Sequence, residues 1–138
     1  MGLFTKTFKI SDGFLWKYNK DKETVTVPGN IRVIGPYAFT EKAQLKTVII
    51  PEGVQTIDFG AFSYCENLTA INLPQSLETI HTHAFESCKS LTTLTIPDSV
   101  TTIGEGAFTN CKNLTIIASS GSYAETYAKE NEIPFRAK

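Results

Sequence analysis

LTTLTIPDSVTTIGEGAFTNCKN, residues 91–113, decides the fold, because two other stretches spell it again in the same register. These are LKTVIIPEGVQTIDFGAFSYCEN at 45–67 and LTAINLPQSLETIHTHAFESCKS at 68–90. Proline recurs at Pro28, Pro51, Pro74 and Pro97, and the pair Ala-Phe at Ala38-Phe39, Ala61-Phe62, Ala84-Phe85 and Ala107-Phe108. Leucine recurs at Leu45, Leu68, Leu91 and Leu114, and cysteine at Cys65, Cys88 and Cys111. Every interval is 23 residues. Independent columns sharing one period mark a repeat architecture, with one structural unit per copy.

Each unit has a physical reading. In LTTLTIP the inward positions are Leu91, Leu94 and Ile96, and the last two alternate with Thr95 as in a short strand. Pro97 has no N–H to donate and ends the ladder. Val100 and Ile103 suggest a second extended segment ending at Gly104, and EGAFTNC a compact turn of helical or 3₁₀ type with Phe108 and Cys111 inward. The other units give Val48/Ile50, Val54/Ile57 and Phe62/Cys65, then Ile71/Leu73, Leu77/Ile80 and Phe85/Cys88. A single coil cannot bury its apolar side. Stacked coils can, with strands about 4.8 Å apart and like residues in columns. Five strands fit, near residues 24–27, 47–50, 70–73, 93–96 and 115–118.

Solenoid ends expose apolar faces and need caps. At the front, FKISDGFLWKYNKDKETVTVP predicts a hairpin around Ser11-Asp12-Gly13, with Phe14, Trp16 and Tyr18 on one face as an aromatic lid. At the back, Ser122-Tyr123-Ala124-Glu125 reads as a capping box opening a two-turn helix. Its buried side is expected to be Tyr123, Ala124, Tyr127 and Ala128, and Ile133-Pro134-Phe135 closes the chain. The chain is thus expected to be one domain, 1–138, divided into a front cap (1–27), repeats (28–119) and a back cap (120–138).

The unit resembles that of the BspA-like (Treponema-type) leucine-rich-repeat family, roughly LTxIxIPxSVTxIGxxAFxxCxx, which residues 91–113 match closely. The first unit departs from it, with Lys42 in the cysteine column. The DGFLWKY entry and SYAETYAKENEIPF exit also resemble the family's flanks. The resemblance implies a leucine-rich-repeat solenoid of α/β class, β-rich. It would be a right-handed stack of about five short parallel strands with helical or 3₁₀ turns, a hairpin cap and a helical cap. It further implies a bacterial surface or secreted setting, adhesion and protein contact, and no catalytic residue to carry over.

The residues themselves exclude several classes. A formal charge of −1 argues against nucleic-acid binding, which calls for a basic patch, and no apolar run approaches the roughly 20 residues of a membrane helix. MGLFTKTFKISDG carries no signal-peptide pattern, so either the protein is intracellular or its signal lies outside this sequence. No P-loop, G-x-S-x-G or G-x-G-x-x-G occurs, and no nucleophile has a recognisable base, so no enzyme and no cofactor is expected. The three cysteines, one per coil, read as small buried hydrophobes set too far apart for a disulfide. His81 and His83, with Asp58 one coil below, are a weak metal candidate lacking a fourth ligand; the reading is solvent-exposed histidines on a tolerant edge shared with Gly35/Tyr37, Asp58/Gly60 and Gly104/Gly106. Asn67 and Asn113 fit glycosylation sequons but read as structural.

The outward strand positions form two columns: Thr24, Thr47, Ala70, Thr93, Ile116 and Thr26, Ile49, Asn72, Thr95, Ala118. Nearly uncharged and rich in β-branched residues, this face suits an exposed strand on propensity alone. It also suits a recognition surface, since solenoids bind along extended faces. The expected site is therefore Thr47, Ile49, Ala70, Asn72, Thr93 and Thr95, taking a protein or a surface glycan on a monomer. The alternative is a purely structural spacer of a larger surface protein.

Overall fold

Strict alternation of apolar and polar residues over three to five positions makes strands, and prolines and glycines at fixed offsets end them. The structure, a computed structural model, describes residues 6–138; residues 1–5, the start of the stretch assigned to the front cap, lie outside it. It opens with the expected hairpin, β1 (Phe8–Ser11) and β2 (Phe14–Tyr18). Each coil then adds two strands: β3 (Thr24–Thr26) and β4 (Val33–Ile34), β5 (Thr47–Ile49) and β6 (Thr56–Ile57), β7 (Ala70–Ile71) and β8 (Thr79–Ile80), β9 (Thr93–Thr95) and β10 (Thr102–Ile103). The chain closes with β11 (Thr115–Ala118), the helix α1 (Tyr123–Glu130) and β12 (Phe135–Ala137). The five strands β3, β5, β7, β9 and β11 fall on the expected residues. The second strand of each coil joins the hairpin in a six-stranded sheet, order β1-β2-β4-β6-β8-β10, so the front cap extends that wall by pairing Phe14 with Val33 and Leu15 with Ile34.

Between the strand pairs the turn segment is neither α nor 3₁₀ helix. Consecutive turns replace it, with bonds such as Ala61 N–H to Asp58 O at 3.1 Å and Ser63 N–H to Gly60 O at 3.0 Å. Positive φ at Tyr37, Gly60, His83 and Gly106, and again at Glu41, Tyr64, Ser87 and Asn110, breaks any helix after one turn. The gain is a ladder between coils. Phe39, Phe62 and Phe85 N–H donate to Ala61, Ala84 and Ala107 O, all at 2.8 Å.

The interior is a column of rings. Tyr18 lies 5.2 Å from Phe39, followed by Phe62 at 4.9 Å, Phe85 at 5.4 Å and Phe108 at 5.6 Å, with Tyr127 edge-on at 6.3 Å. Each cap supplies a tyrosine whose hydroxyl finds a backbone partner at the end of the stack: Tyr18 accepts from Lys22 N–H, and Tyr127 donates to Gly104 O. Beside the rings run the cysteines, whose thiols donate to Phe39, Phe62 and Phe85 O at 3.0–3.2 Å. All three are free; Cys65 and Cys88 are buried and Cys111 is partly so.

Four details of the caps and last coil differ from the sequence reading. Trp16 is a bulged residue, since Lys9 pairs with Lys17 but Ile10 with Leu15. The extra residue switches faces, burying Leu15 and Tyr18 while Trp16 stays 46% exposed, so the lid is not Phe14/Trp16/Tyr18. Tyr123 is likewise exposed, its hydroxyl accepting from Ile103 N–H, while Ala124, Tyr127 and Ala128 are buried as expected. Ser122 caps α1 by accepting from Glu125 N–H, but the Glu125 carboxylate takes Gly121 N–H rather than that of Ser122. In the last coil Thr115 pairs with Thr93 and Ile116 with Leu94, one residue short of the 23-residue period. Ile116 and Ala118 therefore point inward and are fully buried.

Candidate functional site

Once Ile116 and Ala118 are removed from it, the outward strand face consists of Thr24, Thr26, Thr47, Ile49, Ala70, Asn72, Thr93 and Thr95, with Thr115 and Ile117 in the last coil. All of the six expected site residues stand on it, Thr47 half-buried and the rest exposed. The face is not one sheet. Strands β3-β5-β7 form one group and β9-β11-β12 another.

The break between β7 and β9 has a local cause in Asn72. In the first and fourth coils the residue after the outward position donates to the next coil's backbone, Val27 N–H to Ile49 O and Ile96 N–H to Ile117 O, both at 2.9 Å. At Ile50 the Asn72 side chain takes over: its Oδ1 accepts from Ile50 N–H and its Nδ2 donates to Ile50 O, each at 2.8 Å. That amide ties β7 to β5 and shortens β7 to two residues. On the far side the ladder lapses. Thr47 and Ala70 N–H donate to Glu23 and Lys46 O, yet among the described residues Thr93 N–H makes no matching bond to Thr69 O. A shallow open depression of about 370 Å³ lies here, lined by Thr47, Val48, Ile49, Thr69, Ala70, Ile71, Asn72 and Thr93. It contains five of the six expected residues; Thr95 stands on the same face outside it.

The histidines separate rather than converge. His83 has φ 58°, so the chain does not stay extended from His81, and the two rings find different carboxylates. His81 Nε2 is 4.0 Å from Asp58 Oδ1, and His83 Nδ1 is 3.4 Å from Glu86 Oε1. Among the described residues no three His, Cys, Asp or Glu side chains are grouped as metal ligands. The tolerant edge is also a conformational column, because Tyr37, Gly60, His83 and Gly106 all occupy the left-handed region.

The thiols are poor nucleophiles. Burial pushes Cys65 up to about 12 and Cys111 to about 11, and Cys88 is raised as well, so the thiolate that would react is scarce near neutrality. The Asn67 amide serves the stack, donating to Ala43 O at 2.7 Å. A second exposed group escaped the sequence reading: Tyr37, Phe59 and Tyr64, 48%, 38% and 43% exposed, beside His83 and Glu86. Its signal was an aromatic residue at outward turn positions that other coils fill with glycine, proline or polar residues. No helix among the described residues is long and apolar enough to cross a membrane.

The chain matches the model of the BspA type leucine-rich-repeat region in six copies over residues 10–131. None of the curated proteins matches it. Among solved structures it is similar to a leucine-rich-repeat protein of T. pallidum, at 26% identity and TM-score 0.71, over 82% of this chain and 69% of that one. A leucine-rich-repeat protein of Bacteroides ovatus shares 36% identity at TM-score 0.64, over 69% of this chain and 24% of that one. A leucine-rich cell surface protein of Faecalibacterium prausnitzii shares 27% identity at TM-score 0.59, over 83% of this chain and 37% of that one.

Proposed function

Because the chain belongs to the BspA-type leucine-rich-repeat family, we propose that it is a non-catalytic interaction module docking a protein partner on its strand face. Families of this kind generally serve as protein-interaction or surface modules. The observation that carries the reading is the depression at the β7–β9 break, where Ile49, 45% exposed, stands beside the unladdered backbone near Thr69 and Thr93. A partner there gains apolar burial from Ile49 and Ala70 and hydrogen bonds from threonine and backbone groups, without desolvating a charge. A cell-surface setting rests on the family resemblance and on the Faecalibacterium relative described as a cell surface protein.

A second reading, a spacer within a longer surface protein, draws on the small share of the Bacteroides and Faecalibacterium chains that this one spans. One experiment separates the two. Proteins captured from the native cells by the wild-type chain are compared with those captured by Ile49→Arg and Thr95→Arg, each variant being expected to keep its stability within about 0.5 kcal/mol. The docking reading expects a ligand whose affinity falls at least about tenfold in both variants. No saturable ligand supports the spacer, and unchanged binding in both variants moves the site off this face.

A further inference from the structure

The exposed rings on the turn side form a built ridge rather than scattered surface residues. Tyr37 lies flat on the backbone of the next coil, where a Cβ on Gly60 would stand 2.5 Å from its Cε1; His83 does the same over Gly106, at 2.9 Å. Phe59 stands edge-on between them, 5.6 Å from Tyr37 at 75° and 5.7 Å from His83 at 87°. Glu86 continues the line, its Oε1 3.4 Å from His83 Nδ1 and its Oε2 accepting from the Tyr64 hydroxyl at 3.3 Å. Large apolar side chains held exposed in a contiguous line mark an interaction surface more often than isolated ones do.

Charge selects the occupant. Asp21, Glu23, Glu66 and Glu125 each have a lysine within ion-pair distance. Among the described residues Asp58 and Glu86 have no lysine or arginine at that distance; their partners are the imidazoles of His81 and His83, with Phe59 N–H donating to Asp58 Oδ1 at 2.7 Å and the Tyr64 hydroxyl to Glu86 Oε2. The local field is negative: the charge of Glu86, then its hydrogen bond, then burial and the charge of Glu41 hold the Tyr64 hydroxyl above its ordinary value. A planar guanidinium can stack on a Tyr or Phe face while its fork reaches a carboxylate. A neutral sugar could stack but would bring no positive charge to either carboxylate.

We propose that the Tyr37–Phe59–His83–Glu86–Tyr64 ridge binds an arginine side chain of a protein partner, at a site distinct from the strand face. The test titrates the chain at low salt with a blocked Gly-Gly-Arg-Gly-Gly peptide and with the same peptide carrying neutral citrulline, following aromatic ring resonances. The arginine peptide should shift the Tyr37, Phe59 and Tyr64 rings saturably in about the millimolar range. Citrulline in the peptide, or Glu86→Gln in the protein, should each weaken binding about fivefold or more. Tyr64→Ser should also weaken it, whereas Ile49→Arg on the strand face should leave it unchanged, so this site and the strand-face site fail independently. Equal binding of the citrulline peptide, an unchanged constant in Glu86→Gln, or no shift of these rings overturns the proposal. Stronger perturbation of the same rings by neutral cellotetraose also overturns it, in favour of a saccharide.

Discussion

Replacing Phe85 with alanine removes a central ring of the stacked column. Phe85 is fully buried and lies nearly parallel, 7° off, to Phe62 at 5.4 Å and to Phe108 at 5.6 Å. Truncating a buried phenylalanine costs about 3–5 kcal/mol through lost transfer energy and the cavity left behind. Each ring pair adds about 0.5–1.5 kcal/mol beyond its buried area, and Phe85 has two such partners. The coils above and below are also laddered through Phe85 N–H to Ala107 O and cannot easily collapse into the void. The loss should therefore sit at the upper end, about 4–5 kcal/mol, a large fraction of the roughly 5–15 kcal/mol typical of a whole domain. Phe108, 6% exposed and met on its outer side by Tyr127 at the longer distance of 6.3 Å, should lose less, about 3 kcal/mol. Urea unfolding followed by far-UV circular dichroism gives both values by linear extrapolation. A loss under about 1 kcal/mol at Phe85, or a larger one at Phe108, refutes the idea that the ring column holds the coils together.

Two further outcomes follow from local geometry. The buried thiols have folded values raised above the 9.0 of an exposed cysteine, so their contribution is complete below pH 9 and is lost as pH rises toward 11–12, where the folded state ionises too; the urea midpoint should fall between pH 8.5 and pH 10.5, and Cys88→Ala should flatten that fall if the thiols cause it. Gly104 has the His81–Thr82 backbone where a Cβ would go, whereas Gly29 has nothing within 4 Å, so Gly104→Ala should lose about 2–3 kcal/mol and Gly29→Ala within about 0.5, and equal Tm values for the two would contradict the close approach.

The 23-residue period was legible because burial repeats with it: Phe39, Phe62, Phe85 and Phe108 share one environment, and so do Leu45, Leu68, Leu91 and Leu114. What the period hid lies where the environment stops repeating. Counting 23 past Thr93 put Ile116 outward, yet Leu114, Ile116 and Ala118 alternate with period two, a strand pattern that fixes the register independently. Trp16 misled because a bulge reverses alternation, and nothing in FLWKY marks one. The turn differs from the expected helical form because αL residues recur four apart in each coil, at Tyr37/Glu41, Gly60/Tyr64, His83/Ser87 and Gly106/Asn110, and most of these residue types do not announce that conformation. On the strand face five of the six expected residues are exposed and Thr47 is half-buried. The break was not foreseen, since an asparagine among threonines looked like one more polar residue and not a side chain able to stand in for the backbone.

The ring column also bears on how such a chain can change length. Its inner members are interchangeable phenylalanines, while Tyr18, with Phe8 tilted against it at 5.5 Å, and Tyr127 make hydroxyl contacts peculiar to their positions. An in-frame duplication of 23 codons between them would insert one more phenylalanine, one more thiol and one more rung, adding about 4.8 Å without disturbing either tyrosine. A duplication of 22 or 24 codons would set every downstream side chain one position out of its column. The geometry therefore favours changes of length in whole 23-residue units, with Tyr18 and Tyr127 keeping their partners at either end.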